Sequence, residues 1–137
     1  MDRNTFSALL TQCRENKNIG KNEMCRLTGF TFNQLQRIEK ASNNFNMQLA
    51  FKYMEVVGAS LYFEKDGVQY VMSNYEEYPQ WLRTARSNMY SQRQLAKAAE
   101  CAYSAITNVE IGKTTISIDL FLKIADVLGY FVKIEQK

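Results

Sequence analysis

Leu35, Ile38, Glu39, Gly58 and Glu64 recur as Ile106, Val109, Glu110, Gly129 and Glu135, each 71 residues further along the chain. One constant offset over five positions marks an internal duplication. It constrains the fold strongly, because each half must then build the same small unit. A unit of roughly 65 residues buries only a modest core by itself, so two of them in one chain are expected to share an interface. The predicted units are residues 1–73 and 74–137.

Hydrophobic residues make up 46% of the chain and aromatics 12%, enough for a packed core, and no Pro-, Gly- or Ser-rich run points to disorder. Cys13, Cys25 and Cys101 are odd in number, lack C-x-x-C spacing and have no histidine to share a metal with, so they read as reduced, mostly buried thiols. No charged-then-apolar leader pattern is visible, and no apolar run reaches the roughly 18 residues of a membrane span. The expectation is a folded, soluble protein of the cytoplasm. The net charge of +3 is spread over both halves, with eight Lys/Arg against six Asp/Glu in residues 1–64 and nine against eight in the rest. That balance permits a nucleic-acid partner without requiring one.

Hydrophobic spacing predicts a first helix over 3–16, with Phe6, Leu9, Leu10 and Cys13 on one buried face. Two short helices follow over 20–28 and 31–40, broken at Gly29. A longer one over 45–57 turns Met47, Ala50, Tyr53, Met54 and Val57 inward and is capped by Gly58. The period then changes. Residues 59–64 and 68–73 are β-prone runs joined by Lys65-Asp66-Gly67, a hairpin signal. After a connector over 74–78, Pro79 opens a helix carrying Trp81, Leu82 and Ala85, and helices follow over 92–99, 103–111 and 118–128. A last strand is predicted over 130–135. It lacks a hairpin partner, and pairing with the first unit's hairpin would satisfy its backbone, giving one small sheet between the units. The fold class is thus mostly α, two tandem helical units each ending in β-strand.

The second and third helices of each unit have the pattern of a helix-turn-helix. The run from Ser91 to Gly112 resembles the Cro and lambda-repressor-like (XRE) family, with Ala96 as the small residue of the second helix, Ile106 and Val109 as the buried aliphatics of the third, and Glu110 and Gly112 as its ending. The first unit matches through Cys25, Leu35, Ile38 and Glu39. The spacing has a geometric reason: two helices that cross steeply need a small residue at their contact and aliphatics inside the second, whose outer face can then enter a major groove. The resemblance also implies that Arg14 and Arg86 face Glu39 and Glu110 as structural ion pairs.

On this pattern the base-reading candidates are Phe32, Asn33, Gln34, Gln36 and Arg37 in the first unit, and Tyr103, Ser104, Thr107 and Asn108, beside Ala105, in the second. Asn, Gln and Arg carry the forks that match adenine and guanine edges, so the first reading head is the stronger. The resemblance places phosphate contacts at the start of the second helix and in the loop after the third. Those places hold Gly20, Lys21, Ser42, Asn43 and Asn44, then Ser91, Gln92, Lys113, Thr114 and Thr115. Gln92 falls where the family often has a Gln bridging phosphate and recognition helix. Two positions depart from the pattern. Glu100 replaces the Gly of the turn and brings a carboxylate near the phosphates, and Ala102 replaces the capping Ser or Thr that Thr31 keeps in the first unit.

The resemblance implies a bacterial, phage or plasmid transcriptional regulator, a repressor, that reads double-stranded DNA with both units as a single-chain pseudo-dimer. Its alternative is a protein-interaction module of antitoxin or assembly type whose second helix-turn-helix contacts a protein partner. A homodimer through the sheet edge is a third arrangement. With no histidine, no Gly-rich phosphate loop and no nucleophile beside a base, neither an enzyme, a metal site nor a cofactor is expected.

Overall fold

The structure is a computed structural model describing residues 1–137. Asp2 caps α1 (Arg3–Asn16) by accepting from the Thr5 amide at 2.8 Å. α2 (Lys21–Thr28) ends on Gly29, whose φ of 78° is the left-handed turn that a glycine adopts without strain. α3 (Phe32–Lys40) opens on a capping box between Thr31 and Gln34, and α4 (Met47–Val57) on Asn46. β1 (Ala59–Lys65) and β2 (Val68–Met72) form the expected hairpin around Asp66 and Gly67, both at positive φ. A 3-10 turn over Tyr75–Glu77 leads into α5 (Tyr78–Ser87), α6 (Gln92–Ala98), α7 (Tyr103–Glu110), α8 (Ile118–Leu128) and β3 (Phe131–Gln136).

Element starts repeat the offset seen in the sequence. α2, α3 and α4 begin at Lys21, Phe32 and Met47, and α6, α7 and α8 begin 71 residues later at Gln92, Tyr103 and Ile118. The first helices differ, with 14 residues in α1 and 10 in α5. Two details correct the sequence expectation. α4 starts at Met47 rather than Phe45 because Asn46 takes the cap, accepting from the Leu49 amide. In α1, Leu9 is 37% exposed while Ser7 and Arg14 are buried. The buried arc is rotated toward Arg14 because that side chain reaches inward to Glu39.

The sheet is antiparallel with order β2-β1-β3, so the final strand does pair with the first hairpin. Its register is reciprocal. Tyr62 lies opposite Lys133, its counterpart in the repeat, and on either side Leu61 pairs Ile134 while Phe63 pairs Val132. The same exchange occurs at the far side of the core, where Asn46 and Ser117, again 71 apart, form an antiparallel bridge. There Met47 N donates to Ile116 O and Ile118 N donates to Phe45 O, both at 2.8 Å. Two latches repeat the exchange: Lys65 Nζ donates to the last carbonyl of α8, Leu128, at 2.8 Å, and Gln136 Nε2 to the last carbonyl of α4, Val57, at 2.8 Å. Bonds that swap partners in this way are what a two-fold axis through the two central pairs generates.

The apolar interior is one cluster drawn from both halves. At the junction Phe63 of β1 stacks on Trp81 of α5 with centroids 3.9 Å apart, and Phe121 of α8 packs on Tyr78. Tyr62 and Phe131 lie on the outer face of the sheet, whereas Phe63 is buried, so the strand aromatics divide between the two faces. Cys13 is buried and Cys25 and Cys101 are half-buried, all as free thiols, and burial pushes the Cys13 and Cys101 thiols up. No helix is long and apolar enough to cross a membrane.

Candidate nucleic-acid interface

α3 and α7 are each held from behind by a buried fork. Arg14 donates from Nε and Nη2 to the two carboxylate oxygens of Glu39 at 2.7 and 3.1 Å, and from Nη1 to Ile19 O at 2.8 Å. Tyr53 adds a third donor to Glu39 at 2.6 Å. Its phenol is raised far above the ordinary value by burial first and by the Glu39 bond second, and the Glu39 bond also raises the Arg14 guanidinium. In the second half Arg86 grips Glu110 at 2.5 and 2.7 Å and donates to Tyr90 O, the counterpart of Ile19. Both glutamates are thus saturated structural acceptors at the end of a helix, matching the ion-pair expectation.

With the inner faces fixed, the outward side chains are defined. On α3, Phe32, Asn33 and Arg37 are exposed, and the Arg37 guanidinium makes no ion pair or hydrogen bond. Gln34 is also exposed, but its Oε1 accepts from the Thr31 amide at 2.9 Å, so the box that starts the helix holds it. Gln36 corrects the expectation. It is half-buried, and its Oε1 is sealed from solvent without a partner, because its position turns toward the core side of the helix.

The α7 head is built differently. Tyr103 is 40% exposed, with the Arg93 guanidinium 4.2 Å from its ring centroid and its hydroxyl donating to Gln92 Oε1 at 3.3 Å. Gln92 also donates to Glu110 at 3.0 Å, so the first residue of α6 is tied to both ends of α7. Ser104 is exposed, and its carbonyl accepts from the Thr107 hydroxyl. Thr107 and Asn108 are half-buried rather than fully outward, since the Asn108 carbonyl turns the chain by accepting from the amides of Lys113 and Thr114. Ala102 leaves α7 without a side-chain cap.

Lys21, Ser42, Asn43, Lys113 and Thr114 are exposed at the helix starts and loops that the family pattern assigns to phosphates. Ser91 caps α6 by accepting from Gln94 N. Asn44 and Thr115 instead join the halves. Asn44 Oδ1 accepts from the amides of Phe45 and Asp119, and Thr115 donates to Gln48 of α4. These loops meet at the backbone bridge between Asn46 and Ser117, and their cross-half bonds hold the Asn44 and Thr115 side chains there.

Sequence reasoning did not single out Arg93, whose cation lies against the Tyr103 ring at the start of α7. The signal was its place beside Gln92 at the start of α6. Glu100 adopts φ 57° in the α6–α7 turn, where Gly29 stands at 78° in the α2–α3 turn, and it accepts from Lys123 Nζ at 3.2 Å.

Residues 80–130, which hold most of α5 and all of α6 to α8, match the family model described as Helix-turn-helix. No curated protein and no solved structure matches the chain.

Proposed function

We propose that this chain is a sequence-specific regulator of transcription that binds double-stranded DNA with two helix-turn-helix units, residues 1–73 and 74–137, as a single-chain pseudo-dimer. The observation that carries the reading is the pair of reciprocal contacts, Tyr62 with Lys133 and Asn46 with Ser117. An axis through them relates α3 to α7, as the subunits of a dimeric reader relate their recognition helices on a palindromic site. The helix-turn-helix match over residues 80–130 supports the DNA-reading role of the second unit, and the shared offset extends it to the first. Binding that occupies a promoter makes the chain a repressor, working in the cytoplasm at the nucleoid.

Asn33 and Arg37 of α3, and Tyr103 and Ser104 of α7 with Arg93 beside them, are the base-side groups. Lys21, Ser42, Asn43, Ser91, Gln92, Lys113 and Thr114 are the backbone-side groups. The heads differ in chemistry, so the operator is an imperfect palindrome. Selection of bound sequences from a random double-stranded pool at near-physiological salt tests this. Two unequal halves about ten base pairs apart is the expected result, and a lone half-site would restrict reading to one unit. Failure to enrich any sequence would overturn the DNA role in favour of a protein partner, the reading that the Glu100 carboxylate in the α6–α7 turn favours.

A further inference from the structure

The reciprocity of the two halves breaks at one latch. Gln136, bonded to Val57 O, also donates to Cys13 O at 2.7 Å, and α1 closes over it with Asn16 bonded back to Gln136. Lys65, bonded to Leu128 O, has no such cover: Thr84 and Ser87 of α5 stand where Cys13 and Asn16 stand in α1, and the Thr84 carbonyl accepts from the Ser87 hydroxyl rather than from Lys65. A groove of about 810 Å³ is left between α5 and the β1–β2 hairpin, with Lys65 in its wall. That volume falls in the range of sites for small organic ligands.

We propose that this groove binds a small planar aromatic molecule that carries a carboxylate. Tyr70, Tyr130 and Trp81 line the opening with rings, Phe63 backs Trp81 from the core, and Met89 adds a polarisable thioether. Lys65 fixes the charge of the ligand. One of its three N–H groups is spent on Leu128 O, and another points at Met89 Sδ, a weak acceptor at 3.4 Å that an incoming carboxylate displaces. Trp81 also lines the groove, and its indole N–H has no acceptor within the protein. Of the two lining carboxylates, Glu77 is held by the amides of Ser73 and Asn74, and Asp66 sits on the exposed hairpin turn at the rim.

The site stands independently of DNA reading. If the DNA proposal holds, occupancy acts on the Lys65–Leu128 latch between the halves, and the groove is an effector site. Trp81 is the only tryptophan in the chain, so its indole signal in a ¹H–¹⁵N spectrum reports the groove alone. The full chain, without DNA, is titrated with 2-naphthoate and with 2-naphthylmethylammonium, which share a ring and differ in charge. Saturable movement of the indole signal by naphthoate is expected, with binding of the ammonium at least about ten-fold weaker. Lys65→Met is expected to remove that preference, and Tyr70→Ala, at an exposed position, to weaken naphthoate several-fold while the fold persists. Equal binding of both ions, or no saturable indole shift with naphthoate, would overturn the proposal.

Discussion

Tyr62 faces Lys133 across the β1–β3 ladder, and the two hold equivalent places in the 71-residue repeat. An antiparallel pair centred on equivalent residues is symmetric about an axis normal to the sheet. The Asn46–Ser117 bridge gives a second point on that axis, beside the loops that follow α3 and α7. α3 and α7 therefore lead into the end of the molecule opposite the sheet, the placement on which the proposed reading of one continuous DNA site rests.

The two heads should fail separately. Arg37→Ala is expected to cost about 1–3 kcal/mol on an operator with both halves intact and to relax specificity in one half only. Tyr103→Ala removes the stacking partner of Arg93 and should affect the other half. Binding of each variant to operators altered in one half at a time checks this. Uniform weakening on every sequence would mean that Arg37 contacts phosphate rather than a base.

Two fully buried tyrosines should respond oppositely to the same change. Tyr53 donates to Glu39 at 2.6 Å, whereas the Tyr78 hydroxyl is buried with no partner. Tyr53→Phe should lose about 1.5–3 kcal/mol, and Tyr78→Phe should gain about 1 kcal/mol by removing an unsatisfied hydroxyl. Burial is the first cause that raises both phenols, so the folded state favours their protonated form. The unfolded chain ionises first above the ordinary value of 10.0, so this stability is present below that pH and declines as pH rises past it. Urea midpoints across the alkaline range should fall less for Tyr78→Phe than for the parent protein.

Features set by neighbours in the chain were legible before the structure. Thr31 caps α3 as the family pattern implies, and Asp66-Gly67 makes the hairpin turn. The last strand's lack of a hairpin partner foretold its pairing with the first hairpin. Features set by packing were not legible. Leu9 fits a helical stripe, yet the arc that Arg14 needs excludes it, and Gln36 sits on a polar-looking stretch while turning inward. The groove at Lys65 depends on Gln136 bonding to α1 while Lys65 makes no matching bond to α5, and no single segment of sequence encodes that.

Glu100 holds φ 57°, a conformation costly for a side chain with a Cβ. Its bond to Lys123 joins two largely exposed groups and offsets little of that cost. Glu100→Gly is therefore expected to stabilise the fold by about 1 kcal/mol, read as a higher thermal midpoint. The same variant removes a carboxylate from the α6–α7 turn. It should raise DNA affinity more at low salt than at high salt, since screening suppresses a charge effect.

The Arg14–Glu39 fork gives the sharpest separation of pairing from burial. Both side chains are nearly solvent-free, at 9% and 4% exposure, so each charge is tolerable only with the other present. Glu39→Met strands the guanidinium and leaves the Tyr53 hydroxyl without its acceptor. It should cost about 3–5 kcal/mol. Arg14→Met with Glu39→Met removes both charges, and the loss should fall well below the sum of the two single changes. The corresponding change at Glu110 has a further effect, because Glu110 also fixes Gln92 against α7. Glu110→Met should therefore lower DNA affinity in the α7 half-site even at temperatures where the variant remains folded. Urea denaturation of the four Arg14/Glu39 combinations, with half-site binding of the Glu110 variant, checks both parts. A Glu39→Met loss below about 1 kcal/mol, typical of an exposed ion pair, would show that the fork does not hold α3 in place.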